Sequence, residues 1–144
     1  MRRMAVYKDE QIAPIFAPHL APGETLEHWA FGVKQPNILV IFLLIATIGG
    51  VLAVFFLTKN YLVGTTNRGR FIVLQMSGKT VKNATVYELG EVSGVKTSTG
   101  SLFTHINIAG PTPFVAKFHR MGMKDNRSHS MAIAAALSGK QLAG

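Results

Sequence analysis

A run of twenty uncharged residues, 38–57, constrains this chain more than any other feature. Fifteen of the twenty are Ile, Leu, Val or Phe. At a helical rise of about 1.5 Å per residue the run is roughly 30 Å long, which matches the hydrocarbon core of a bilayer. We therefore predict a transmembrane segment at residues 38–58. Thirty-seven residues precede the run and no small-residue cleavage site closes it, so we expect it to stay in the mature chain.

The residues outside this run are enough for one small folded domain. We assign that domain to residues 59–144 and treat residues 1–37 as a short N-terminal segment. The chain contains no cysteine, which excludes disulfides and cysteine-based metal or nucleophile chemistry.

The positive charge of the chain is unevenly distributed. Residues 1–37 hold four Lys/Arg and four Asp/Glu, whereas residues 58–144 hold eleven Lys/Arg and three Asp/Glu. This bias across the apolar run predicts that the C-terminal domain faces the cytoplasm. A basic domain held at a membrane predicts anionic lipids as partners, with nucleic acid as the rival for the same charge.

Small residues in the apolar run suggest a helix-packing face. On one continuous helix, Ala46 lies near Gly50 and Gly49 lies near Ala53, so a second helix could approach closely and the chain could self-associate. Two other interpretations stay open. Glycines are common in membrane helices, and the Gly49-Gly50 pair could be the tip of a hairpin that enters and leaves on one side.

After the apolar run the pattern changes to strands. Residues 61–66 and 71–76 flank an Asn67-Arg-Gly turn and predict a β-hairpin. Residues 84–87 predict a third strand, and residues 102–109 and 114–119 predict a second hairpin around a proline-containing turn. A loop or irregular strand is expected where Leu89, Val92 and Val95 recur. Residues 128–142 predict a closing amphipathic helix, so the fold class is α+β.

Several short motifs in this order resemble a family. The sequence Leu20-Ala-Pro-Gly-Glu24, followed by Leu26 and Trp29, the apolar run and then Tyr61-Leu-Val-Gly-Thr-Thr-Asn-Arg-Gly-Arg70, resembles bacterial pleckstrin-homology-like (PH-like) membrane proteins. The resemblance loosely covers residues 20–137. It departs from the family's pattern at Gly69, which lengthens the turn by one residue, and in the single, shorter apolar run.

The resemblance implies a bent antiparallel β-barrel or sandwich, capped by the C-terminal helix and anchored in the bacterial cytoplasmic membrane. It also implies that residues 25–33 form the first strand and pair with the strand after the apolar run. Such pairing would place both ends of the run on one side of the membrane, as a hairpin would. The length of the run instead favours a single span, which we prefer at this point and which places the Trp29 stretch across the membrane from the domain.

The inventory of reactive groups argues against an enzyme. We expect no catalytic residues, cofactor or metal, because Glu88 and Glu91 are interpreted as solvated loop charges and the five histidines show no ligand spacing. His105 and His119 could approach each other across the second hairpin. Ser77-Gly78-Lys79-Thr80 resembles the end of a phosphate-binding loop, but it lacks the first glycine and the following helix.

The sequence therefore predicts a non-catalytic membrane scaffold that forms a homo-oligomer. The alternative is an adaptor that recruits a protein or peptide through the PH-like domain, whereas nucleic-acid binding is disfavoured because no recognition motif accompanies the charge. A competing interpretation is that the basic residues near the first hairpin are scattered surface charges that keep the domain soluble. The candidate lipid-headgroup contacts are Lys59, Arg68, Arg70, Lys79 and Lys82.

Overall fold

The structure is a computed structural model that describes residues 9–34, 59–77, 80–92, 94–109 and 112–143. The described residues form an α+β fold with one antiparallel sheet and a C-terminal helix. The helices are α1 (Asp9–Phe16), followed by a 3-10 turn (Ala17–His19), and α2 (Asn126–Ala143). The strands are β1 (Leu26–Lys34), β2 (Lys59–Thr66), β3 (Arg70–Ser77), β4 (Thr80–Glu88), β5 (Val95–Thr99), β6 (Phe103–Ile108) and β7 (Phe114–His119).

The seven strands make an open sheet in the order β4-β3-β2-β1-β7-β6-β5. Every pairing is antiparallel, and β1 and β7 share a short ladder at Val33 and Lys117. The predicted hairpins are present, and the turn between β2 and β3 uses Gly69 at φ +73°, a conformation that glycine adopts without strain. The sheet does not close into a barrel, because β4 and β5 remain as its edges.

The two faces of the sheet have separate cores. Alternate residues such as Val63, Phe71 and Ile106 pack with α2 on the inner face. The opposite set, which includes Phe31, Leu62 and Ile72, packs on the outer face against α1. Strands β2 and β3 are therefore buried on both faces, which explains their nearly continuous apolar sequence.

The N-terminal segment contributes helix α1 to the outer core of the sheet. Ile12 and Phe16 lie four residues apart on α1, and both are buried against the outer face of the sheet. The prediction missed this helix because eight residues carry too short a periodic pattern.

Two other elements differ from prediction. Strand β5 was not predicted, since four of its five residues are exposed and its sequence has no apolar alternation. Helix α2 begins two residues before the predicted 128–142, at Asn126, whose side chain is buried. The Asn126 amide accepts from the Phe31 N–H (2.8 Å) and donates to the Phe31 and His119 carbonyls (3.0 and 2.7 Å). It thereby links β1 to β7 beyond their short ladder.

Candidate functional site

The pairing of β1 with β2 brings the two ends of the apolar segment together. Lys34, the last residue of β1, is the direct partner of Lys59, the first residue of β2. Trp29 is paired with Gly64 in the same ladder. This pairing contradicts the expectation that the Trp29 stretch lies across the membrane from the domain. The chain between these strands, residues 35–58, leaves and rejoins the sheet at one place.

Two predictions concern residues that lie outside the described part of the chain. They are the transmembrane segment at residues 38–58 and the packing face of Ala46, Gly49, Gly50 and Ala53. In the part of the chain that the structure describes, no helix combines the length and apolar character needed to cross a bilayer.

The strand ends next to this segment form a basic end of the sheet, defined by Lys34, Lys59 and Lys82. All three lysines are exposed. The register from Asn60 through Met76 to Val81 places the start of β4 and the start of β2 at the same end of the sheet, with the end of β3 between them. None of the described residues at these strand ends (34, 59–60, 76–77 and 80–82) is Asp or Glu. Lys34 and Lys59 are like charges directly opposite each other, an arrangement that costs free energy unless an anion lies nearby. Lys79 lies outside the described residues.

Arg68 and Arg70 make hydrogen bonds within the chain. The Arg70 guanidinium forms an ion pair with Glu24 and also donates to the His19 carbonyl (3.1 Å). Arg68 donates to the Pro22 carbonyl (3.0 Å). Both arginines follow the far end of β2, away from Lys59, and they hold the segment that leads into β1.

Glu24 is the centre of this contact. Its carboxylate accepts from Arg70 Nε (2.9 Å), Thr66 Oγ1 (2.6 Å) and the Ala21 N–H (2.9 Å). The hydrogen bond from Arg70 is the main cause that lowers the pKa of Glu24 from 4.5 to about 2, and the bonds from Thr66 and Ala21 add to it against the effect of burial. We call Glu24, Thr66 and Arg70 the acidic clasp.

The clasp gives a physical account of the motifs noted in the sequence. Glu24 belongs to the Pro-Gly-Glu motif, and Thr66 and Arg70 belong to the motif that follows the apolar run. Asn67 adds a second link, because its side chain accepts from the Thr25 N–H (2.9 Å). The sequence analysis noted Glu24 only as part of this motif and assigned it no partner. The order of the two motifs was the signal that could have paired them.

Strand β4 is a nine-residue edge whose alternate residues Lys82, Ala84, Val86 and Glu88 are all exposed. Among the described strands, β4 pairs only with β3, because it stands at one end of the sheet. The opposite edge, β5, is shorter and lies beside α2, where Thr97 Oγ1 is 3.4 Å from Ser138 Oγ. A long exposed edge offers unpaired backbone groups to another strand.

The remaining reactive groups are not gathered into one site. His105 and His119 both lie beside Phe103, at centroid distances of 6.0 and 4.9 Å. Glu88 and Glu91 are exposed. Among the residues that the structure describes, no group of three His, Asp or Glu side chains could hold a metal ion.

Comparison of the chain with protein-family models, curated proteins and solved structures finds no match.

Proposed function

We propose that this protein is a non-catalytic scaffold of the bacterial cytoplasmic membrane, with a PH-like domain on the cytoplasmic side. The observation that carries the proposal is the direct pairing of Lys34 with Lys59. Since both ends of the apolar segment meet at one end of the sheet, the segment enters and leaves the bilayer on the same side. The hairpin alternative for the Gly49-Gly50 pair thus replaces the single span.

The basic end supports binding at the lipid surface. Lys34 and Lys59 flank the apolar segment and therefore stand where lipid phosphates are found, and Lys82 lies at the same end of the sheet on the edge strand β4. Each lysine that reaches an anionic surface contributes about 1 kcal/mol of attraction. Phosphates between Lys34 and Lys59 would also relieve the repulsion of that pair.

The exposed β4 edge supports self-association. When two copies of β4 pair antiparallel about a two-fold axis at Thr85, Lys82 of each copy lies opposite Glu88 of the other. Both residues are exposed. Opposite charges at directly facing positions stabilise a strand pair by about 0.2–1 kcal/mol each.

A charge-reversal series tests this contact in the full chain, extracted with its lipid and sized by native mass spectrometry. We expect Lys82→Glu and Glu88→Lys each to shrink the assembly, because each places like charges opposite each other twice. The double variant restores the opposite charges and should restore the size. Lys96→Glu on the β5 edge is the matched control and should change nothing.

The outcomes separate the alternatives. An unmodified chain that is monomeric contradicts the scaffold. An assembly that all variants retain keeps self-association but excludes the β4 edge. A different protein that co-purifies in fixed ratio with the monomeric chain, and is lost in both single variants, supports the adaptor function through the same edge.

A further inference from the structure

The inner face of the sheet has a pocket near the basic end. Its volume is about 240 Å³, below the roughly 300–1,000 Å³ of pockets that take drug-sized ligands. Tyr61, two residues after Lys59, lies on one wall. Thr112, from the turn between β6 and β7, and Phe114, the first residue of β7, lie on the other. We call this the mouth pocket. Strand β4 contributes Asn83, Ala84, Thr85 and Tyr87 to its lining, whereas no residue of the acidic clasp does.

Tyr61 gives the mouth pocket a partly exposed aromatic ring, and Phe114 lies buried against it. Phe114 is buried, and the Tyr61 ring meets its ring edge to face at 5.2 Å between centroids. Val73 also contributes to the lining. An aromatic face carries negative quadrupole charge, so it attracts the weakly positive C–H groups of a saturated ring.

The rim of the pocket is polar but uncharged. Gln75 and Asn83 present carboxamides, which can donate and accept at once, and Thr85 and Tyr87 present hydroxyls. Gln75 and Asn83 are only weakly bonded to each other, with 3.4 Å between Oε1 and Nδ2. None of the described residues that line the pocket is Asp, Glu, Lys, Arg or His.

Tyr61 and Tyr87 remain uncharged near neutral pH. Burial raises the pKa of Tyr61, and burial followed by the proximity of Tyr61 raises the pKa of Tyr87. Both phenols therefore retain their protons. The Tyr87 hydroxyl donates to the Thr112 carbonyl (3.0 Å) and ties β4 to the β6–β7 turn.

We propose that the mouth pocket binds one uncharged sugar ring. A hexopyranose combines a C–H face, suited to the Tyr61 ring, with equatorial hydroxyls, suited to the Gln75 and Asn83 amides. A charged ligand would find no counter-ion in the pocket. The ring could belong to a neutral glycolipid headgroup or to a soluble saccharide, since both present the same chemistry.

Saturation-transfer NMR on the full chain tests this inference, in a detergent without a sugar headgroup. One sample contains methyl β-glucoside, and a second contains micelles doped with monoglucosyl diacylglycerol. We expect saturation to reach the sugar ring protons in at least one sample. Signal from the soluble glucoside alone identifies a saccharide ligand, and signal from the glycolipid alone identifies a headgroup.

Two conservative variants locate the binding. Tyr61→Phe and Gln75→Leu each remove hydrogen-bonding groups without changing the charge, and each should weaken binding about fivefold or more. Asn107→Leu, at an exposed position on β6, is the matched control and should bind as the unmodified chain does. Circular dichroism of all three checks that the sheet remains folded.

The inference is wrong if no saturation reaches the sugar protons in either sample. It is also wrong if Asn107→Leu weakens binding as much as Tyr61→Phe and Gln75→Leu do. Neither result bears on the β4 contact, because the assembly size is measured separately and in variants that leave the mouth pocket intact.

Discussion

At the scale of single residues, Glu24 shows how burial gives a carboxylate a structural role. It is 5 % exposed and accepts from Arg70, Thr66 and the Ala21 N–H. A buried carboxylate with these partners stabilises the fold only while it is ionised. Removing its charge leaves the Arg70 guanidinium without its counter-ion.

The pKa shift of Glu24 predicts how stability depends on pH. The folded pKa, about 2, lies below the ordinary value of 4.5, so the folded state binds this proton less readily than the unfolded state. The stabilisation is fully present above pH 4.5 and is lost as the pH falls towards 2. We expect roughly 2–3 kcal/mol, reduced from the full shift because Arg70 stays partly exposed.

Urea unfolding of Glu24→Gln at neutral pH and at about pH 3 measures the stabilisation that the ionised Glu24 carboxylate contributes. At neutral pH the variant should have a lower free energy of unfolding than the unmodified chain. This difference should become smaller at about pH 3. Glu91→Gln, at an exposed loop position, is the control and should unfold like the unmodified chain. A gap that stays constant with pH would contradict the linkage.

At the scale of elements, the close approach of β1 to β7 depends on a residue without a side chain. Gly32 lies on β1 where the Phe118 ring of β7 crosses it, and a Cβ there would be 2.5 Å from a ring carbon. Phe118 is fully buried, so its ring has little room to withdraw.

Gly32→Ala should therefore lower the free energy of unfolding by about 1–3 kcal/mol. Chemical denaturation followed by circular dichroism measures the change. Gly90→Ala is the matched control, because a Cβ at Gly90 meets no described atom within 4 Å. Equal free energies of unfolding for the two variants would contradict the prediction, because they would show that the Phe118 ring can move away from a Cβ at position 32.

At the scale of the whole molecule, the β1–β2 ladder decides the topology that we propose for the membrane segment. A single span would separate Lys34 from Lys59 by the thickness of a bilayer. Residues paired across an antiparallel ladder are instead only about 5 Å apart.

Thiol labelling tests this topology directly, because the chain has no cysteine of its own. We expect Lys34→Cys and Lys59→Cys to react with a membrane-impermeant maleimide in inverted membrane vesicles and not in spheroplasts. Ser98→Cys, exposed on β5, marks the side on which the domain lies. Labelling of positions 34 and 59 from opposite sides would contradict the hairpin, and a chain recovered in the soluble fraction would contradict the membrane scaffold.

Local patterns in the sequence were sufficient for most elements of the described fold. Strand-favouring residues on both sides of the Asn67-Arg-Gly turn indicated β2 and β3. Alternating apolar residues indicated β6 and β7, and the alanine-rich C-terminal stretch indicated α2, because side-chain periodicity reflects backbone geometry directly. The same rule could not detect α1, which depends on packing against the sheet, or β5, whose residues are mostly exposed.

What the sequence determined by itself was the apolar segment, the excess of positive charge after it and the strand-rich, helix-closed order of the domain. Only the tertiary structure decided which charges remain available, because Arg70 faces Glu24 while Lys59 stays exposed. It also decided that both ends of the apolar segment meet, and that an uncharged pocket remains at the same end of the sheet. These features depend on contacts between residues far apart in the chain, which no local pattern encodes.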